Sequence, residues 1–496
     1  MQVPEPHAIF PLTLFDILLV DATVSFSWLI KGKPDTQLIR SAIGRVVQKW
    51  PLLAGRVEYS KNEYPYPLQL RVPLSPDLNE LKEEYKTFEF TETTSSVPLS
   101  QYVQLPIPTV HPSLPSSLTR HTSTPRRTYE WIAQSLPLLW WHVTRFPSSV
   151  GGPGITDDYA VIGLSFSHGV FDGAGAAFVL HAVEAEMYNR DWKVPPLLHE
   201  GLNENPLTRD IGERTEALPS KEREHLGRYK LFIPAGVLAA ARAVCWTLWE
   251  NYWNGATEKT LVLSSKMVNR LVDGVKDELI HEGITIRVTT GDILAAWMYK
   301  TIYSGDSPGK KSTFLTYVGS YRPIFAPEGS LDSYLHNCFL LLPYPLFTLS
   351  ELQAIPLHEL SSTLAQVRES RSPEGLLDAY AFLENSFTKA KPLAHWLRYP
   401  GADETLSMSN KTVFKIGEID WGRVGGRETM CSYQTVFGPY PMSNWVGMNG
   451  WIKGIRCVDE DRLVIQMALS REKWAKVESA VDMLEKEVER GLNIRA

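Results

Sequence analysis

Apolar and polar positions alternate along the chain with two periods. In QLIRSAIGRVVQKW, residues 37–50, Leu38, Ile39, Ile43, Val46 and Val47 recur at helical spacing and share one face. Pro51 ends that helix, and LLAGRVEY passes into a strand. Residues 159–167, YAVIGLSFS, form a nearly continuous apolar run stopped by a turn, the pattern of a buried strand. Helical periodicity resumes over 176–187. The second half repeats the mixture, with strands predicted at 261–263 and 314–318 and helices at 265–279, 291–303 and 356–369. It closes on a strand over 463–468 and a helix over 471–490. Pro356 is tolerated because it falls in the first turn of its helix.

Two stretches break the pattern. Residues 106–127, PIPTVHPSLPSSLTRHTSTPRR, are dense in Pro, Ser and Thr, which predicts a long surface loop with no core of its own. A polar, proline-containing segment from 195 to about 231 reads as the connection between halves. Both halves mix sheet and helix, and no short-period repeat is present. The expected fold class is therefore α/β with α+β-type mixed sheets. Two domains, 1–220 and 256–496, are expected, joined by a crossover at 221–255.

Composition narrows the function. The 496 residues carry 50 Lys+Arg against 56 Asp+Glu, a net charge of −6, with 44% hydrophobic and 21% charged residues. This is a globular composition with ample core, which excludes disorder, collagen and coiled coil. The evenly spread acidic balance leaves no footprint for nucleic acid. Cys245, Cys338, Cys431 and Cys457 are too few and too scattered for a disulfide framework, and none forms a CxxC pair. A reduced, cytoplasmic protein is the expectation. The N-terminal MQVPEPHAIFPLTLFDILLV lacks the basic region and cleavage site of a signal peptide. VLAAARAVCWTLW, 237–249, falls short of the roughly 20 residues that span a bilayer and contains Arg242. A core helix or crossover is expected there, not an integral membrane segment.

Most apparent motifs fail on inspection. GDSPGKKS, 305–312, has only three residues between its glycines and Lys311 where a phosphate loop needs Ser or Thr. GLSFSHG, 163–169, has Ser167 where a nucleophile elbow needs glycine. The twelve histidines include no HExxH and no close His/Cys/Asp cluster, so no metal is expected. HGVFDG, 168–173, is different. It sits where the apolar strand ends and the next helix has not begun, a usual place for functional side chains in α/β proteins. An imidazole with a pKa near about 6.5 is mostly neutral at neutral pH and can accept a proton from a hydroxyl or amine. Asp172 either orients the His168 ring or turns away into an ion pair. Gly173 and Gly175 let the backbone turn tightly into the helix. Taken alone, a histidine in such a turn is more often structural than catalytic.

SFSHGVFDGAG resembles the HxxxDG motif of the BAHD acyltransferase superfamily, coenzyme A-dependent enzymes of plant and fungal secondary metabolism. Among these it is similar to the fungal trichothecene and ergot-alkaloid O-acetyltransferases. Further stretches agree in order and spacing. LTLFD (12–16) resembles the family's opening LSxxD, WPLLAGRVE (50–58) its PxxAGR phrase, and PLLWWHVTRF (137–146) the strand before the histidine hairpin. TTGDILAAWMY (289–299) resembles SxxDxLxAxxW, SYRP (320–323) resembles DxRpR with Arg322 on the first arginine, and YLHN (334–337) resembles YxGN. MSNKT (408–412) falls where the family often has a Thr/Ser-Ser-Trp phrase, and IDWGRVGG (419–426) where it has DFGWGKP. Arg423 replaces the tryptophan of that motif, Lys411 stands where the family often has another, and Ser320 where it often has aspartate.

The resemblance implies two chloramphenicol-acetyltransferase-like domains with a channel at their interface. It also implies a monomer with nothing permanently bound, using acyl-CoA, first of all acetyl-CoA, as co-substrate with a small-molecule acceptor. His168 would be the general base, and Asp172 would pair with Arg322. Gly173, Asp420 and Gly422 would shape the backbone at the site. Ser409, then Asn410, would be the oxyanion donors. Lys259, Thr289, Thr290 and Arg423 are placed by position alone as candidates for CoA. The implied activity is acyl transfer to a hydroxyl of a small secondary metabolite. Another thioester donor, an amine acceptor or a non-catalytic binding homologue stand as alternatives.

Overall fold

In the computed structural model the described residues are 6–20, 22–60, 68–75, 85–150, 157–231, 233–234, 241, 245, 248–249, 251–305, 310–388, 393–394, 399, 401–437, 451–459 and 461–491. Two mixed sheets organise them. The first has five strands in the order Gly426–Phe437, Thr23–Gly32, Tyr159–Ser167, Trp140–Phe146, Glu89–Thr94. Its apolar face is covered by helices Thr36–Lys49 and Gly173–Met187, and the buried Phe26, Trp28, Trp141 and Phe166 pack between the layers.

The second sheet runs Phe339–Leu342, Ser312–Ser320, Glu404–Asn410, Trp451–Asp459, Arg462–Leu469, Thr257–Ser264, Val110–Pro112. Helices Ser265–His281, Thr290–Ile302, Leu357–Glu369 and Arg471–Arg490 share a core with it. Each helix follows from its local chemistry. Asp35 caps the first, accepting from the amides of Gln37 and Leu38 at 3.0 and 3.1 Å, and Pro51 stops it.

The two halves of the chain exchange strands. Gly426–Phe437, from the second half, pairs antiparallel with Thr23–Gly32 of the first sheet. In return Val110–Pro112 pairs with Thr257–Ser264 at the edge of the second. This corrects the expectation for residues 106–127. Far from being a bare surface loop, the segment buries His111, Leu114, Leu118 and Arg120, and its short strand finds ladder partners that no local pattern announces.

The polar 195–231 segment is likewise more than a connection. Gly201–Leu202 adds a parallel strand beside His7–Pro11, and helix Pro206–Ala217 buries Leu207 and Ile211 against residues of the second half. Most of the apolar 237–249 stretch, and much of GDSPGKKS, lies outside the described residues.

Candidate active site

Strand Tyr159–Ser167 ends in a turn that carries half-buried His168, and helix Gly173–Met187 begins five residues later. The turn is tied on both sides. The His168 amide donates to the Ala22 carbonyl at 2.8 Å, and the His168 carbonyl accepts from Asn337 Nδ2 at 2.9 Å. Asn337 is aimed by Asp16, whose Oδ1 accepts from the Asn337 amide at 2.9 Å and its Nδ2 at 2.7 Å. Asp16 Oδ2 in turn accepts from the amide and hydroxyl of Thr13, at 2.8 and 2.9 Å. The end of YLHN thus meets the carbonyl of the histidine, and the end of LTLFD holds it there.

Asp172 does not orient the ring. Its Oδ1 accepts from Arg322 Nη2 and from the Gly175 amide, both at 2.9 Å. Its Oδ2 accepts from Arg322 Nη1 at 2.8 Å and the Cys338 amide at 3.3 Å. Four donors occupy two oxygens, so the carboxylate caps the helix and neutralises a buried arginine. Arg322 also donates to the carbonyls of Tyr334 and His336. The helix could not enter here with any other residue at Gly175, because a Cβ there would stand 1.9 Å from the Leu335 carbonyl oxygen.

The His168 ring keeps Nδ1 buried. Burial lowers the pKa of the ring, and the Lys411 charge adds to this, while the Asp172 charge and the carbonyls of His168 and Phe171 act the other way. A lowered pKa keeps the imidazole neutral, the form that accepts a proton.

Across from the turn, strand Glu404–Asn410 ends at Ser409 and Asn410. The Asn410 carbonyl oxygen accepts from the Thr412 amide at 3.0 Å and its hydroxyl at 2.8 Å, so this side chain serves a turn. Ser409 Oγ accepts from Lys411 Nζ at 2.7 Å. Thr289 caps helix Thr290–Ile302 through Asp292, and the start of that helix lies against Asn410 across Gly291. Thr290, its first residue, is exposed.

The remaining expected residues lie elsewhere. Lys259 Nζ is paired with Glu478 at 2.6 Å and sits over the Trp474 ring. Asp420 and Gly422 were expected at the site, but they hold the other end of its helix. Asp420 accepts from the Tyr188 hydroxyl and, at 2.7 Å, from the Gly422 amide, and the exposed Arg423 donates its amide to Tyr188. Helix Gly173–Met187 has 15 residues. At a rise of about 1.5 Å per residue, Arg423 is roughly 20 Å from the histidine turn. The contacts of this motif are local: a loop closed on the helix end.

Sequence reasoning missed Asp16 and Asn337 as supports of His168, although both end stretches that carry the resemblance. It noted Lys411 only as a departure.

No protein-family model matches the chain. It is 22% identical over 358 residues, 69% of each chain, to the O-acyltransferase pboC of Aspergillus ustus. Among solved structures it is similar to F. graminearum TRI101 complexed with coenzyme A and deoxynivalenol, with a TM-score of 0.60 and 13% identity, covering 95% of this chain and 97% of that one. It is also similar to the TRI3 trichothecene 15-O-acetyltransferase of Fusarium sporotrichioides, with a TM-score of 0.55 and 11% identity over 97% and 95% of the two chains. The mixed α/β, two-domain architecture is the one these structures share.

Proposed function

We propose that this chain, which carries the fold of the BAHD acyltransferases, is an acyl-CoA-dependent O-acyltransferase that modifies a hydroxyl of a small secondary metabolite, with acetyl-CoA as donor and His168 as base. The observation that carries the reading is the division of labour at the turn: a histidine with Nδ1 buried and its pKa lowered by burial, beside an aspartate whose oxygens are spent on Arg322 and the backbone. A histidine held by its own backbone needs no carboxylate to act on a substrate that arrives already activated.

In this reading His168 Nε2 takes the acceptor's proton as its oxygen bonds to the thioester carbonyl carbon. The carbonyl electron pair moves onto oxygen, then returns as the carbon–sulfur bond breaks. The departing thiolate takes the proton back from His168. No covalent enzyme intermediate is required, because the thioester supplies the activation and joint binding supplies proximity. A positioned base is worth about 10²–10⁴ in rate. Ser409 is the hydroxyl donor to the oxyanion, and Thr289 and Thr290 border the donor side. The chain acts as a cytoplasmic monomer of two domains, 1–220 and 256–496, each of which lends a strand to the other's sheet.

Retention on a coenzyme A resin tests the donor. The expected result is retention reversed by soluble CoA, and passage through the column would contradict CoA as the donor.

A further inference from the structure

Lys411 is buried, at 8% exposure, yet ends in an ammonium. Its stem lies along the first turn of the helix that follows His168: a Cβ on Gly173 would meet Lys411 Cε at 3.2 Å and Cδ at 3.5 Å. Its Nζ reaches Ser409 Oγ, on a strand whose pairing with Trp451–Asp459 shifts register between Met408 and Asn410. Such a bulge re-aims the side chains at a strand end. The lysine therefore bridges the histidine turn and the serine from the opposite sheet. A buried ammonium is costly, and a site retains one where the charge is used.

A serine hydroxyl has one proton and two lone pairs. With Lys411 donating into a lone pair, the proton points away from the ammonium, and the O–H becomes a stronger donor. We propose that Lys411 is a positioning residue for acyl transfer: it holds and polarises the Ser409 hydroxyl as donor to the thioester oxygen. Burial is the main reason the pKa of the neighbouring His168 is lowered, and the Lys411 charge adds to it. The inference rests on the acyl-transfer reading above. Lys411 exchanges no proton with substrate. As the acceptor oxygen adds and His168 takes its proton, the new oxyanion accepts from Ser409, and both revert when the thiolate leaves and is protonated by His168.

The charges around Lys411 give this role a pH signature. It faces His168, the Asp172 carboxylate paired with Arg322, and Arg456 of strand Trp451–Asp459, itself hydrogen-bonded to Ser432, Gln434 and Gln466. Burial pushes the Lys411 ammonium down to about 7, with Arg456 adding and Asp172 opposing. The working state needs His168 neutral and Lys411 charged. Activity therefore rises as His168 loses its proton on the acid side and falls as Lys411 loses its own near neutrality.

Thiol release from acetyl-CoA, with water as acceptor, is followed against pH for wild type, Lys411→Met, Ser409→Ala, the double variant and His168→Ala. Lys411→Met is expected to slow release about 10²-fold and abolish the alkaline decline. It is also expected to move the acid limb up toward the ordinary histidine value of about 6.5. Ser409→Ala is expected to lose a similar factor, and adding Lys411→Met to it should cost nothing more. Methionine fills the same space without charge, so melting temperature should hold or rise. Two results would overturn the role of Lys411 while leaving the base reading intact: a Lys411→Met variant with the wild-type pH profile, or losses that multiply in the double variant, each with His168→Ala inactive. Release by His168→Ala at the wild-type rate would remove the acyl-transfer reading and the inference together. Should water prove too poor an acceptor, NMR titration of the His168 ring decides: Lys411→Met must raise its pKa, and an unchanged titration sinks the proposal.

Discussion

Arg322 grips Asp172 through two hydrogen bonds of 2.8 and 2.9 Å, across 150 residues of sequence, inside the wall that carries His168. The pair joins the start of the histidine helix to the segment after strand Ser312–Ser320, so the two sheets meet through it. Asp172→Asn would leave the guanidinium buried without its counter-charge. We expect a loss of about 3–5 kcal/mol in urea unfolding, and a smaller loss in the Asp172→Asn, Arg322→Met double variant, where no charge is stranded.

Two glycines on neighbouring helices should respond in opposite ways. A Cβ at Gly175 would meet the Leu335 carbonyl, and the segment that must yield leads directly to Asn337, which holds the His168 carbonyl. Gly175→Ala is expected to destabilise by more than about 2 kcal/mol and to depress turnover. Gly44, in helix Thr36–Lys49, has nothing within 4 Å of its Cβ position. Gly44→Ala should stabilise by about 0.5–1 kcal/mol. Thermal unfolding of the two variants checks both signs.

Buried histidines set an acid limit on stability. Burial pushes His111, His142 and His336 each down to about 4. For a base whose pKa is depressed on folding, the unfolded chain binds the proton first. Stability is therefore complete above the unfolded value of about 6.5 and falls as pH drops toward 4. Denaturant midpoints should decline over that window, and His142→Gln should flatten the decline by one group's share.

The Asp420 loop offers a control. Asp420 takes the Tyr188 hydroxyl and the Gly422 amide at the far end of the helix from His168. Asp420→Ala is expected to cost about 1 kcal/mol of stability and to leave both limbs of the pH–rate profile where they were. A shifted limb would mean that the loop reaches the chemistry.

Much of this was legible in sequence. Helix periodicity located Thr36–Lys49 and Arg471–Arg490, and the apolar run located Tyr159–Ser167, because each is specified by its own residues. The exchanged strands were not legible. Val110–Pro112 is three residues long and gains its ladder from Thr257–Ser264, 147 positions away by the Ser113–Thr260 contact. At the site the Asp172–Arg322 pair could be named from the resemblance. The Asp16–Asn337 brace joins residues 321 positions apart and had no local signal. Arg423 and Lys411 stand at two positions where the family often has tryptophan, but only structure separates the loop residue from the one beside His168.

The central claim is that His168 removes the acceptor's proton during transfer from an acyl-CoA. The direct test is transfer of labelled acetyl from acetyl-CoA to a panel of hydroxylated small molecules, trichothecenes included, by wild type and His168→Ala. Labelled ester from wild type, and a loss of about 10²–10⁴ in His168→Ala with its fold intact, is the expected result. Equal labelling by the two proteins would contradict it.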